Sequence, residues 1–566
     1  MTVEHALYGL SICLALALRL VALERWPLLE REAASALAAW RFARGLPAAL
    51  RGHSPVLFHL NSLLFYFTNG GDHLARLGSL AFGTLLVCLP YGLRGQLGRV
   101  GALAASLLLG MSPTFVYFSR AVDGHIVVAF CALALLTAGA GYLKDRSGTP
   151  VIAGVCMALL ALLAAPSGYT VLVVLLTLPL FLWAWARFRY RGWWVELLQA
   201  WRDLRKNAGA VRGILPMASV LFLALGLGFT ANPAGLQMAL DQLGQWTGGL
   251  LPVSLSVWYK APLLLILYEA LPLILGLAGF LLERPRDDLW WVGLRYWFVA
   301  TLVLSTVPGR RQASSVLLMV LPLVLSAGWA VGRLWQELRE VLDAPLLWAL
   351  VAASLLVLGA AYLQLVNYLS FATPNYLLRI AALAVFLVSC YALVWSLSGR
   401  DVPLRAAALS LALVLSLGMI RMETRLNYFR ARDPLEPMVG DTTSPDLLRF
   451  AERAPQLSSH IVGDPHAMEW VVADQLQNPL GWYLRSFEQV SYATGGIAGP
   501  EAHGVITLGE GSGPSGFVGL RYGLRSRGAT LQRTPEEWLR WWVGSKSPAP
   551  SPAEEELVLW VRASEQ

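Results

Sequence analysis

The chain has 566 residues, of which 56% are hydrophobic and only 14% charged, with a net charge of +8. A soluble globular domain carries about 25% charged residues, so a wholly soluble protein is excluded. The 22 tryptophans suit a chain whose rings line bilayer interfaces. The basic excess lies in short turns between apolar runs, which makes it a topology signal and argues against a nucleic-acid partner.

The first apolar run, Ala6 to Leu23, has no basic segment ahead of it, contains Arg19, and meets no small-residue cleavage site before Glu24 and Arg25. It reads as a retained helix rather than a signal peptide. Runs long enough to cross the hydrocarbon core cover 5–23, 74–93, 99–118, 126–143, 149–165, 169–187, 214–231, 261–282, 289–307, 313–332, 346–366, 377–397 and 405–420. The predicted fold class is therefore an all-α polytopic membrane protein of about thirteen transmembrane helices. All five cysteines (Cys13, Cys88, Cys131, Cys156, Cys390) fall inside these runs, so neither a disulfide framework nor a thiolate metal site is expected.

Arginines and lysines cluster in every second turn, most densely from Arg187 to Arg212. The positive-inside rule then places the N-terminus in the cytoplasm of a plasma membrane protein, and puts loop 24–73 and everything after Arg421 outside. Loop 24–73 breaks the rule, since it holds Arg25, Arg31, Arg41, Arg44 and Arg51. Snorkelling to headgroups is one explanation; an anionic, phosphorylated substrate is the other. Within this loop, 33–44 should lie flat in the interface. The segment 56–67 reads as interfacial or re-entrant, the alternative being a true span that would invert the topology downstream.

The polar tail, 421–566, is expected to be a small extracytoplasmic α/β domain, with 1–420 as the membrane domain. Strands are predicted at 468–472, 490–493, 504–508 and 557–561, and helices at 445–453 and 535–543, both opening at proline. The stretch 546–556 reads as a Pro/Ser linker. The tail shows no dinucleotide fingerprint, Walker loop or zincin motif.

Several stretches resemble one family. Pro27-Leu-Leu-Glu-Arg-Glu32-Ala is similar to the first-loop motif of GT-C glycosyltransferases, nearest the family 39 branch that contains protein O-mannosyltransferases. His53-Ser-Pro-Val-Leu-Phe-His-Leu-Asn61, Ala75-Arg76-Leu77, Tyr117-Phe-Ser-Arg120, Phe229-Thr-Ala-Asn-Pro-Ala-Gly235, Trp258-Tyr-Lys260, Leu267-Tyr-Glu-Ala-Leu-Pro272 and Pro479-Leu-Gly-Trp-Tyr-Leu-Arg485 continue the resemblance. In this order they look like the bacterial and archaeal flippase activity-associated membrane proteins. The resemblance implies a GT-C-like fold. It also implies transfer of a sugar, with inversion, from a polyprenyl-phosphate donor to a glycan, lipid or protein acceptor at the extracytoplasmic face. The alternative it leaves open is a non-catalytic flippase-associated protein or a subunit of a membrane or surface complex. Two positions depart from the family: Arg31 stands where an aspartate is common, and His125 where an acid follows the Ser-Arg pair.

Such transfer needs a base for the acceptor hydroxyl, cations for the departing phosphate and an apolar groove for the lipid. The resemblance points to Glu32 as base, with Glu30 orienting it or sharing a divalent cation. The same residues also describe an acid-rich helix N-terminus. Residues i and i+2 converge only on an extended chain. Substrate- and phosphate-binding candidates are Arg31, His53, Arg120, Asp123, His125, Lys260, Glu269, Arg310 and Arg311. Of these, Glu269 lies inside an apolar run and should face the bundle interior with a partner. Trp482 and Arg485 either contact the membrane domain or an acceptor, or serve the tail's own fold.

Overall fold

A computed structural model describes residues 3–145, 148–189, 202, 208–228, 232–250, 259–282, 288–306, 312–342, 344–494, 502–509, 515–526, 533–544 and 554–562. Among them, eight helices are long and apolar enough to cross a membrane, and two further pairs, Arg99–Met111 with Pro113–Ser119 and Lys260–Tyr268 with Ala270–Leu282, qualify if each bent pair is one span. The pairs bend by 55° and 97°. The remaining three expected spans also form helices, Gly148–Ala164, Ala208–Leu227 and Leu289–Thr306; among the described residues the count by length and composition is eight, or up to ten with each bent pair taken as one span.

The centre of the bundle is the helix Ser315–Arg339, whose most apolar window is 83% buried. Glycines let its neighbours approach this closely. A Cβ at Gly328 would lie 2.5 Å from the Gly101 carbonyl oxygen, and one at Gly276 would lie 2.6 Å from that of Leu323. Beside Gly276 the Ser326 hydroxyl donates to the Gly276 carbonyl at 2.7 Å. Small residues and an interhelical hydrogen bond are what hold helices together where lipid tails are as apolar as leucine. At the other extreme, the equivalent window of Asn375–Ser398 is only 6% buried.

The first loop folds as two helices, Glu30–Ala43 and Pro55–Phe67. The second starts at a proline behind Ser54, whose hydroxyl accepts the Leu57 N–H, a standard N-cap. Its 13 residues, at about 1.5 Å each, fall well short of a ~30 Å hydrocarbon core. That length disfavours the spanning alternative. The two helices pack against Ala75, Met238 and Trp482 in one apolar cluster.

The last long helix, Asp401–Thr424, runs into a π-turn at Arg425–Phe429. Beyond it lies a six-stranded mixed sheet: β1 (Thr442–Thr443), β2 (Trp470–Ala473), β3 (Val490–Ala493), β4 (Gly504–Leu508), β5 (Phe517–Ser526) and β6 (Glu554–Arg562), in the order β1-β5-β6-β4-β2-β3. β2 runs parallel to β3 and β4, while β5 and β6 pair antiparallel. The helix Asp446–Val462 packs its apolar face, Leu447, Phe450 and Ala454, into the core beneath this sheet. The helix Pro535–Val543 opens on a Thr534/Glu537 capping box. Of the stretch read as a linker, 554–556 belong to β6 and the rest lies outside the described residues.

Candidate active site

The half-helix Pro113–Ser119 ends in a short turn, and the next helix starts at Gly124. Asp123 caps that start. Its Oδ1 accepts the His125 backbone N–H at 2.7 Å and lies 2.7 Å from the His125 ring Nδ1. A side chain at Gly124 would run into the Ala164 carbonyl and the Ser54 hydroxyl, so glycine is what allows the turn to seat here. The Ser79 hydroxyl lies 3.2 Å from the Asp123 nitrogen and 3.3 Å from its carbonyl oxygen. Burial opposes ionisation of Asp123, but His125, through its ring and backbone N–H, and Arg31 outweigh it and hold the carboxyl below its ordinary range. The side chains remain 25% and 16% exposed respectively, so solvent reaches the pair.

Glu32 sits behind this turn. Its Oε1 accepts the Val122 N–H at 2.8 Å, and its Oε2 accepts the Leu29 N–H at 2.8 Å. Two guanidiniums close on the same Oε2, Arg432 at 3.1 Å and Arg76 at 3.4 Å. All three side chains are buried. Burial works against the charge, yet Arg76, Arg432 and the two N–H groups prevail and hold the carboxyl below the usual carboxylate range. Glu32, expected as the base, therefore has both oxygens committed and acts here as a junction of four chain segments.

The helix begins at Glu30, so Glu30 and Glu32 diverge instead of converging as an extended chain would allow. Glu30 turns to the tail, where Arg525 forks between Glu30 at 3.0 Å and Glu555 at 2.6 Å. The shared cation considered for the two glutamates finds no common donor set, and the described residues contain no group of three or more His, Cys, Asp or Glu suited to a metal. Arg31 is exposed and has no hydrogen bond or ion pair among the described residues, while acting electrostatically on Asp123.

The other expected ligands scatter. Arg120 donates to the carbonyls of Leu18, Arg19, Val21 and Ala22 and so caps the end of the first helix rather than facing a ligand. His53 bonds the Ala49 carbonyl at 3.1 Å, and burial lowers its affinity for a proton. Glu269 is wholly buried at the break between Lys260–Tyr268 and Ala270–Leu282, where Oε1 accepts the Ser112 hydroxyl at 2.5 Å and the Thr114 N–H at 3.0 Å. It caps the half-helix Pro113–Ser119, away from the Asp123 turn. Lys260 opens its helix with Asp441 as its charge neighbour. Arg310 and Arg311 lie outside the described residues.

Sequence reasoning passed over Arg76 and Arg432 as partners of Glu32, although a charge in an apolar helix such as Arg76's signals a buried partner. It left Trp482 and Arg485 open. Trp482 Nε1 donates to Asp72 at 2.7 Å, the Tyr483 hydroxyl bonds Asp72 at 3.0 Å, and Arg485 bonds the Gly70 carbonyl at 3.2 Å. The tail thus docks on the first loop. A cleft of about 640 Å³ opens along this seam, lined by Trp40, Arg44, Asp72, Tyr483 and Arg485 among others.

No family model and no curated protein sequence matches the chain. Solved structures do. The ArnT crystal structure from Cupriavidus metallidurans bound to undecaprenyl phosphate matches with a TM-score of 0.54 at 17% identity, covering 86% of each chain. Its apo form matches at 0.51 and 15%, again over 86% of each. The chain has the GT-C fold. An archaeal oligosaccharyltransferase from Archaeoglobus fulgidus gives a TM-score of 0.45 at 14% identity, over 87% of this chain and 65% of the other. The protein is an integral membrane protein built on this fold, with a small sheet domain at its C-terminal end.

Proposed function

We propose that the protein is a membrane glycosyltransferase that takes a sugar from a polyprenyl-phosphate donor and passes it to an acceptor at the extracytoplasmic face, inverting the anomeric centre. The observation that carries this reading is the shared fold with the undecaprenyl phosphate complex of ArnT over 86% of both chains. Arg31, exposed beside the Asp123–His125 turn, supplies positive charge for a departing lipid phosphate, and Lys260 is the second candidate cation. Preorganised cations of this kind stabilise charge that develops on the leaving group. Glu32 holds the turn in place from behind. In this reading the N-terminus is cytoplasmic and both the first loop and the tail are extracytoplasmic.

A second reading, a protein that binds the lipid-linked sugar without transferring it, draws support from Arg31 at the common acid position and from the closed shell of bonds around Glu32. Reconstitution into vesicles with radiolabelled undecaprenyl-phosphate hexoses and pentoses separates the two. Release of lipid phosphate together with labelled acceptor from an added membrane extract is the expected outcome. Saturable donor binding with no turnover favours the second reading, and no donor binding removes both.

A further inference from the structure

We propose that His125 is the general base of the transfer, with Asp123 fixing its tautomer, in place of the first-loop carboxylate. This rests on the glycosyltransferase reading and deepens it.

An ionised carboxylate only accepts, so with Oδ1 of Asp123 2.7 Å from Nδ1 of His125 the neutral imidazole carries its proton on Nδ1 and presents its lone pair at Nε2. Nε2 has no hydrogen-bond partner among the described residues, and the ring is partly open to solvent. An acid that holds imidazole in one orientation and stabilises the imidazolium formed on proton uptake is the arrangement that makes histidine an effective base. Neither first-loop glutamate competes well. Glu32 would have to leave two guanidiniums and two N–H groups, and Glu30 points to Arg525.

The surroundings suit the role. Arg31 lies within electrostatic reach of Asp123. Tyr117, from the preceding half-helix, feels Asp123, Glu32 and Arg432. Glu32 touches the turn through the Val122 N–H. Ser79 holds Asp123 from the helix Asp72–Leu86, and Ser54 lies against Gly124 from the first loop.

The step balances. The acceptor hydroxyl gives its proton to Nε2 as its oxygen bonds the anomeric carbon. The bond from that carbon to the phosphate oxygen breaks, and its electron pair leaves with the polyprenyl phosphate. The imidazolium then returns its proton to water.

Asp123 also serves as an ordinary helix N-cap, and the test must separate the two roles. Asparagine caps about as well as aspartate but brings no charge to the imidazolium. Asp123→Asn is expected to keep the melting temperature and donor binding while turnover of radiolabelled undecaprenyl-phosphate sugar falls about 100-fold or more. His125→Ala is expected to do the same. His125→Asp, which installs a carboxylate base, is expected to retain measurable turnover and to move the acid limb of the rate–pH profile to lower pH, as a carboxylate protonates below an imidazole. Equal turnover in wild type and His125→Ala overturns the inference alone. An Asp123→Asn protein of unchanged activity and pH profile reduces Asp123 to a cap and also overturns it. A wild type that binds donor and transfers nothing overturns the glycosyltransferase reading and this inference with it.

Discussion

At the scale of single residues, the Glu32 junction decides most. One carboxylate joins the first loop, the helix of Arg76, the turn at Val122 and the segment of Arg432. Removing one member of a buried charge set leaves the others unpaired and typically costs about 3–5 kcal/mol. Arg432→Ala should accordingly lower the thermal midpoint of the detergent-solubilised protein sharply, and a Glu32/Arg432 double-mutant cycle should show strong coupling. The pH dependence follows from the same contacts. The folded carboxyl titrates below its ordinary value of 4.5, so its contribution is fully present above that value and is lost as pH falls through the folded one. Thermal unfolding between neutral pH and pH 3 should show a steep acid limb that Glu32→Gln flattens. An unchanged limb would mean that other carboxylates dominate acid unfolding.

Helices and strands bring a different balance, between close approach and intrinsic preference. Gly276 lies against the backbone of Leu323, whereas a Cβ at Gly359 would meet nothing within 4 Å. Gly276→Val must push two central helices apart, and overpacking of this kind costs about 1–3 kcal/mol or more. Gly359→Ala should be neutral or mildly stabilising, since alanine is the better helix former by about 1 kcal/mol. Thermal unfolding of the two variants side by side checks this. The apolar runs were legible because each is long and continuous, and each of the thirteen forms helix among its described residues. Their breaks were not. The 55° and 97° bends occur at Ser112 and Glu269, where one broken helix caps the other, a relation between segments 157 positions apart. β5 escaped notice because FVGLRYGLRS interrupts its apolar residues with glycines and arginines, removing the alternation on which strand reading depends.

For the molecule as a whole, the seam between tail and first loop matters most. Trp482, buried against Phe65 with its ring nitrogen on Asp72, and Arg485, stacked 3.7 Å over Trp482, tie the sheet domain down. Arg525 adds a second tie through Glu30. Trp482→Ala should loosen this docking, and limited proteolysis should then release the tail faster while the helical domain stays intact. Equal cleavage rates would show that the remaining contacts suffice.

The sequence by itself determined the membrane class, the helical runs and the two short first-loop helices, because hydrophobic length and order are properties of contiguous residues; the GT-C fold was implied by the resemblance of its motifs to that family. It also named Asp123 and His125, and it noted that Arg31 and His125 depart from the common pattern. Only the tertiary structure decided what each charge does. Glu30 and Glu32 are two residues apart yet face different partners, since a helix starts at the first of them. Arg120 turns inward to carbonyls of the first helix, and Asp72 waits for Trp482 and Tyr483 from 410 and 411 positions away. The partners that assign these roles come from distant parts of the chain, and they meet only when the bundle has packed.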